Sequence, residues 1–256
     1  MCSVSWLLNE EGYQLFFNRD EQKSRAVALP PQSLSLNGVA VLMPIDPVAN
    51  GSWISVNEFG LTLCLLNNYQ GQSPCGPLIS RGQLLKRLSS ERDIPTLNVA
   101  FDSLDLTRFA PFTLLAFDPR LTQTDKAVMA FEWDGKHPRI FSECSPRFSS
   151  GVDLEKVQQA REQAYKACLE QGSNRQDLLA LHQSHHPEQL HHSFCMHRSD
   201  AHTVSFTHVE VTSFGQSMSY VGGSPCQHLT EAALALQCVT LPSYDPSTDS
   251  LIKGLL

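Results

Sequence analysis

Hydrophobic and polar positions at the start of the chain form two short apolar runs separated by a tight polar turn. The runs cover residues 2–8 and 13–18, and Asn9-Glu10-Glu11-Gly12 lies between them, where Gly12 can adopt a positive φ. This pattern predicts a β-hairpin whose second strand brings residues 18–21 back beside residue 2.

The same periodicities predict the remaining elements. Apolar or alternating runs predict strands at 39–44, 51–56, 61–66, 112–117, 127–133, 138–142, 203–211 and 217–221. Helical spacing predicts helices at 78–89, 94–104, 153–170, 176–183 and 229–238. The polar stretch 22–37, which contains Pro30-Pro31, predicts a surface loop, and the residues beyond 242 predict a loosely held tail.

The order of these elements, strands then helices then strands again, predicts an α+β fold. The run 61–66 is almost continuously apolar, which favours a strand covered on both faces of its sheet. Because no internal repeat or low-complexity linker divides the chain, we expect one domain over residues 1–256.

Composition narrows the partners and the compartment. The 256 residues carry a net charge of −7, which disfavours nucleic acids and anionic membranes because both require a basic surface. No apolar run approaches the roughly 18–20 residues that span a bilayer, so no membrane span is expected. The start of the chain lacks the basic region of a signal peptide, and Glu10 and Glu11 interrupt its apolar run, so we expect a cytoplasmic protein.

Cysteine and histidine usage gives no reason to expect a metal site. The eight cysteines are expected to be reduced and contain no C-x-x-C pair, which disfavours a zinc knuckle. His182 and His186 have i,i+4 spacing, but no glutamate lies between them and Pro187 ends the helix. We therefore expect an exposed histidine-rich loop over 182–202 and a solvated outer helix at 153–170.

The cysteine at position 2 offers a different chemistry. If Met1 is removed, Cys2 carries both a thiol and a free α-amino group, whose ordinary pKa of about 7.7–8.0 allows it to accept the thiol proton. A terminal amine that acts as the base for a side-chain nucleophile is one of the known forms of nucleophilic catalysis. The alternative is a cysteine that merely begins an N-terminal strand.

The polar cluster at the end of the hairpin supports the catalytic interpretation. Arg19 can lower the pKa of the thiol and hold a substrate carboxylate, and Asp20 or Glu21 can orient the α-amino group. Asn18 adds an amide beside them. The alternative is a solvated turn that follows a strand.

These features resemble those of the NRDE family, also called the transport and Golgi organisation 2 family. The motifs that carry the resemblance are Met1-Cys2, Asn18-Arg19-Asp20-Glu21, Gly51-Ser52-Trp53-Ile54, Gly60 through Leu65-Leu66-Asn67-Asn68-Tyr69, and Cys195-Met196-His197-Arg198 through Thr203-Val204-Ser205. The layout is also similar, more distantly, to that of the choloylglycine hydrolases, a group of N-terminal-nucleophile (Ntn) enzymes. The resemblance implies an Ntn-hydrolase-like αββα four-layer sandwich with two mainly antiparallel sheets.

Carried over residue by residue, the resemblance implies that Cys2 is the nucleophile, that Arg19 and Asp20 are its charged partners, and that Asn67 is an oxyanion donor. Loss of one such donor typically costs about 10²–10³ in rate. Arg19 and Asp20 are adjacent, and neighbouring residues of a strand point to opposite faces. Either the strand ends between them, or Glu21 takes the role of Asp20.

The residues expected to contact substrate are Asn18, Glu21, Trp53, Asn68 and Ser150. Asn68 is also the alternative to Asn67 as the oxyanion donor. The choloylglycine hydrolases supply a further asparagine from a later loop, for which Ser150 is the equivalent here. For Trp53 the alternative is packing beside the site.

Two functions follow. The first is a hydrolase that cleaves a small-molecule amide or related acyl bond through Cys2, with no metal or other cofactor. The second, which the resemblance implies, is a non-catalytic carrier or chaperone for haem, lipid or acyl-CoA, in which Cys2 or a histidine ligates haem iron. Homo-oligomerisation stays open.

Overall fold

Two β-sheets dominate the computed structural model of the chain, which describes residues 2–124, 127–172, 174–242 and 244. The strands in these residues are β1 (Cys2–Leu8), β2 (Gly12–Gln22), β3 (Leu29–Leu36), β4 (Val39–Ile45), β5 (Ile54–Asn57), β6 (Thr62–Asn67), β7 (Phe112–Phe117), β8 (Val128–Trp133), β9 (Pro138–Glu143), β10 (Arg147–Ser149), β11 (Ala201–Thr212), β12 (Gly215–Gly222) and β13 (Cys238–Pro242). The helices are α1 (Arg81–Leu88), α2 (Ile94–Asp102), α3 (Leu154–Gln171), α4 (Arg175–Gln183), α5 (Pro225–His228) and α6 (Glu231–Leu236).

The sheets are antiparallel and stack face to face. One has the strand order β10-β1-β2-β11-β12-β13, and the other has the order β3-β4-β5-β6-β7-β8-β9. Their inner faces are apolar, so Phe17 and Val209 of the first sheet share one core with Ile54 and Phe117 of the second. Full burial of a side chain of this kind stabilises a fold by about 1.5–3 kcal/mol, which makes this core a major source of stability.

Helices cover the outer face of each sheet. Leu84 of α1 and Phe101 of α2 pack on Leu63 and the outer face of the second sheet, whereas Leu178 of α4 and Phe16 of β2 belong to the core outside the first. This is the predicted α+β class and the predicted αββα four-layer sandwich, which are confirmed. None of the helices in the described residues is long and apolar enough to cross a membrane. The single domain over 1–256 stays a prediction.

Tyr13 ties the two sheets together by hydrogen bonds at one end of the sandwich. Its hydroxyl donates to the carbonyl of Gly60 at 2.7 Å and lies 2.8 Å from Oγ1 of Thr62. Gly60 has a φ of +89°, which favours glycine, and this turn delivers the carbonyl to the tyrosine. The turn therefore sets the start of β6 against β2.

The prediction of a surface loop over 22–37 is wrong. Residues 29–36 form β3, the edge strand of the second sheet, and its register against β4 shifts between Leu29 and Gln32. The shift spans Pro30-Pro31, which cannot donate ladder hydrogen bonds and are tolerated at an edge. β2 extends to Gln22 because β11 pairs with it on the side away from β1. The predicted tail lies outside the described residues, apart from Tyr244.

The prediction of an exposed histidine-rich loop is wrong at its first member. His182 lies on the buried face of α4, where it is 0% exposed and its Nε2 is 2.9 Å from Oγ of Ser5. The rings of Phe194 and Phe206 approach it edge-on, with centroids at 5.2 and 5.5 Å. Burial in this apolar setting lowers the pKa of His182 to about 3, so the folded protein holds the imidazole neutral.

This buried imidazole makes stability depend on pH. Between about pH 6.5 and pH 3 the unfolded chain binds a proton on His182 that the folded chain does not, so the free energy of unfolding falls as the pH falls through this window. The contribution is about 1.4 kcal/mol per pH unit for one histidine. Urea unfolding of His182→Phe at several pH values should show a shallower slope by this amount below pH 6.5. An unchanged slope would contradict the assignment.

Candidate active site

Strand pairing fixes Cys2 between two neighbours. Cys2 lies opposite Arg19 of β2 on one side and opposite Ser149 of β10 on the other. Directly opposed residues of an antiparallel pair project from the same face of the sheet. Because Val4 of the same strand points into the core between the sheets, the alternation places Cys2 at the margin of that core.

A cleft of about 240 Å³ opens at this margin. It is lined by six of the residues that the sequence predicts for the site, namely Cys2, Arg19, Asp20, Glu21, Trp53 and Asn67. It also has charged walls that the sequence did not indicate, formed by Arg25, Asp46 and Arg81. Both sheets and the start of α1 therefore contribute to one site.

Arg19 is held rigidly on the cleft side of β2. It is 6% exposed, and its guanidinium carbon lies 4.3 Å above the ring centroid of Trp53, a cation–π contact. Nη2 of Arg19 is 3.1 Å from Oε2 of Glu21 and 3.8 Å from Oδ2 of Asp46. Trp53 thus serves the site as the platform for the arginine, besides bordering the cleft.

Asp20 borders the cleft as well, but its carboxylate is held from the side of α3. The hydroxyl of Thr203 donates to its Oδ1 at 2.6 Å, and Nη2 of Arg161 lies 3.7 Å from its Oδ2. β2 does not end between Arg19 and Asp20. The register of β11 shifts between Thr203 and Ser205, which lie opposite Asp20 and Arg19. This irregularity in the neighbouring strand marks the point where the two side chains diverge.

Arg161 is the residue of this region that sequence reasoning missed. Its side chain is completely buried, although the helix 153–170 was expected to be a solvated outer layer, so that expectation is wrong here. Nη1 donates to Oγ of Ser3 at 2.5 Å, and the other nitrogens donate to the carbonyls of His191 and His192 at 3.1 and 3.3 Å. The available signal was its position four residues after Val157 on the apolar stripe of the helix.

Burial and neighbouring charges set the protonation of the site. Burial is the largest effect on Cys2 and raises the pKa of its thiol; the charge of Asp20 adds to the rise and Arg19 opposes it. Burial likewise lowers the pKa of Arg161, and Asp20 opposes that change. The thiol is therefore protonated at neutral pH and requires a base before it can act as a nucleophile.

Asn67 is the last residue of β6 and lines the cleft from the second sheet, whereas Cys2 lines it from the first. Its Nδ2 donates to the hydroxyl of Tyr69 at 2.9 Å, which holds the amide in one orientation. Asn68 instead borders the neighbouring cleft, and its Oδ1 accepts from the main-chain N–H of Gln70 at 3.2 Å.

Two other predicted contact residues do not line the cleft that contains Cys2. Asn18 is completely buried, and its amide donates to the carbonyls of His182 and Phe194 at 3.0 and 2.9 Å. Ser150 lines the same neighbouring cleft as Asn68 and is hydrogen-bonded to Val152 at 2.5 Å. These positions give both side chains a role in local structure.

Ser149 and Arg81 lie near Cys2 at positions that no sequence pattern indicates. Oγ of Ser149, opposite Cys2, has no hydrogen-bond partner within the described residues, and the three-residue strand that carries it is too short for a periodic pattern. Arg81 begins α1, where its Nη1 donates to the carbonyl of Pro111 at 2.9 Å. Burial lowers the pKa of Arg81, which still leaves it a cation beside the cleft.

Comparison with known proteins agrees with this architecture. A family model described as Transport and Golgi organisation 2 matches residues 1–220. No curated protein sequence matches the chain. An arginine-to-leucine variant of conjugated bile acid hydrolase from Clostridium perfringens is similar with a TM-score of 0.53 and 11% identity, over 95% of this chain and 97% of that one. Penicillin V acylase from Agrobacterium tumefaciens is similar with a TM-score of 0.51 and 11% identity, over 87% of this chain and 83% of that one. At these identities the likeness concerns the fold.

The buried ion pair yields a stability prediction. Arg161→Met leaves Asp20 buried without its cation, so the free energy of unfolding should fall by about 3–5 kcal/mol, as measured by urea unfolding. Arg175→Met is the matched control, because the Arg175–Glu231 pair lies at the surface and should contribute at most about 1 kcal/mol. Equal losses in the two variants would count against a buried charge network at Arg161.

Proposed function

The chain belongs to the transport and Golgi organisation 2 family, and on that premise we propose that it is an N-terminal-cysteine hydrolase that cleaves a linear amide or related acyl bond. One observation carries the proposal. Cys2 faces a cleft in which a rigid arginine lies on its own sheet and an oriented asparagine amide lies on the other. The names of the two structural neighbours, an acylase and a hydrolase, agree with acyl-transfer chemistry.

The chemistry begins with removal of Met1, which frees the α-amino group of Cys2. The amine takes the proton of the thiol as sulfur attacks the substrate carbonyl, and negative charge develops on the carbonyl oxygen. Nδ2 of Asn67 donates to this oxyanion. The amine then gives its proton to the leaving nitrogen, the C–N bond breaks and a thioester forms on Cys2. Water, deprotonated by the same amine, hydrolyses the thioester.

The protonated state of the thiol supports a role for this base. Because burial raises the pKa of Cys2, the proton must be removed during the attack, and the α-amine lies on the same residue. Asp20, fixed by Thr203 and Arg161, is assigned the orientation of the amine. Arg19 stabilises the thiolate from the adjacent strand.

The charge distribution favours a small polar substrate with an anionic group. Arg19 and Arg25 are paired with the carboxylates of Glu21 and Asp46, whereas Arg81 donates to a main-chain carbonyl. Arg81 is therefore the guanidinium assigned to a substrate carboxylate. The polar lining favours such a molecule over the second candidate function, a carrier of haem, lipid or acyl-CoA, which requires an extended apolar surface.

The nucleophile is tested first. Intact-mass measurement should show a chain without Met1, and Cys2→Ala should abolish both hydrolysis of an acyl-amide library and labelling by an acyl-amide probe. Cys75→Ala, at an exposed cysteine outside the cleft, should retain both. Retained Met1 or retained activity in Cys2→Ala would exclude the mechanism. A haem Soret band that is lost in Cys2→Ala, with no activity on any acyl substrate, would support the carrier instead.

The oxyanion donor is tested by comparing two adjacent asparagines. Asn67→Ala should lower kcat by about 10²–10³ with little change in KM, because the amide acts on charge that is present only in the transition state. Asn68→Ala should have the smaller effect, since the Asn68 side chain holds the main chain of Gln70. The reverse order would transfer the role to Asn68.

A further inference from the structure

Three side chains of the types that bind metals converge near Thr203. Cys195 and His197 lie in the segment before β11, and Cys226 lies in the short helix α5. Cys195 is buried, His197 is partly buried and Cys226 is exposed, so the group is open to solvent on one side. Their sulfur and nitrogen atoms all lie within 4.8 Å of one another.

The distances match a tetrahedral metal centre. Nε2 of His197 is 3.6 Å from Sγ of Cys195 and 3.3 Å from Sγ of Cys226. A tetrahedral zinc ion, with Zn–S near ~2.3 Å and Zn–N near ~2.0–2.1 Å, separates a sulfur ligand from a nitrogen ligand by about 3.5 Å. The two sulfur–nitrogen distances lie on either side of this value.

Hydrogen bonds alone do not satisfy all three atoms of this group, namely the two sulfurs and Nε2 of His197. A neutral imidazole nitrogen carries either one proton or one lone pair, so Nε2 of His197 forms one good hydrogen bond and yet faces two sulfurs. A metal ion at the centre satisfies the nitrogen and both sulfurs at once. The thiols release their protons to solvent when they bind it.

A second histidine is oriented beside the group. Nδ1 of His185 lies 3.1 Å from the carbonyl oxygen of Cys195, and its ring centroid is 4.2 Å from that of His197. A carbonyl oxygen only accepts, so Nδ1 carries the proton and Nε2 of neutral His185 keeps its lone pair. This is the arrangement in which histidine ligands are commonly held, with one ring nitrogen bonded to a carbonyl.

We propose that Cys195, His197 and Cys226 form a three-ligand binding site for a thiophilic divalent metal ion of the zinc class, with its fourth position open to solvent and His185 beside it. The sequence does not show a recognisable metal-binding motif here, because Cys195 and His197 are separated by one residue and Cys226 follows almost thirty residues later. The fold brings them together through the pairing of β11 with β12.

The position of the site gives the ion a structural role. Met196, between two of the ligands, donates its main-chain N–H to Oγ1 of Thr203 at 2.8 Å. Ser224, two residues before Cys226, donates its hydroxyl to the carbonyl of Thr203 at 3.0 Å. A metal ion that joins these two segments therefore fixes Thr203, whose hydroxyl donates to Asp20.

Metal binding by the full-length, reduced protein tests the site without reference to hydrolysis. After removal of bound metal with a chelator, titration with Co²⁺ should give thiolate-to-cobalt charge-transfer absorption and tetrahedral d–d bands at one ion per chain, and Zn²⁺ should displace the signal. Cys226→Ser, at an exposed position that should not disturb folding, should weaken Zn²⁺ binding by more than about 100-fold, beyond the usual effect of losing a supporting partner.

Cys238→Ser is the matched control, because Cys238 is also exposed but lies in β13, outside the group. It should bind Zn²⁺ as the unaltered protein does. Equal affinities of the Cys226→Ser and Cys238→Ser variants would overturn the proposal. So would the absence of a thiolate–cobalt signal, whether or not Cys195 and Cys226 are found joined as a disulfide.

Discussion

The buried guanidinium of Arg161, which has no access to water, determines which groups must surround it behind the cleft. Moving a charge out of water costs several kcal/mol even after relaxation, so Arg161 must be neutralised and its donors must be used. Asp20, Ser3 and two main-chain carbonyls meet that requirement. Ser3 follows Cys2 and Asp20 follows Arg19, so the single Arg161 side chain of α3 contacts both strands next to the cleft residues.

Because successive side chains of a strand point to opposite faces of the sheet, Arg161 contacts these strands on the face away from the cleft. Cys2 and Arg19 project toward the space between the sheets, and the residues that follow them project toward the helices. Cys2 and Arg19 therefore face the cleft, while a buried polar network contacts the residues that follow them on the other face of the sheet. Because the ladder continues on both sides of β2, the positions of Cys2 and Arg19 are set by the sheet itself.

Contacts between residues that are close in sequence could be predicted from the sequence, whereas contacts between distant residues could not. The first hairpin, which brings Arg19 beside Cys2, and the α+β class followed from short apolar runs, whereas the place of Asn67 in the site followed from the family resemblance. Arg161 meets Ser3 across a separation of 158 residues, and no local pattern records such a contact. A periodic signal also needs several residues, which the three-residue strand that carries Ser149 does not provide. The two prolines of β3 favour a loop on sequence grounds, although prolines are tolerated in an edge strand.

The place of β1 inside its sheet has a consequence for biosynthesis. β1 emerges from the ribosome before β10, the strand that closes its free edge, because β10 begins about 140 residues after β1 ends. At roughly 5–20 residues per second, β1 remains an open edge strand of the nascent chain for about 7–28 s after it emerges. The removal of Met1 that the proposed mechanism requires would therefore be confined to a limited co-translational window, which closes when β10 pairs with Cys2.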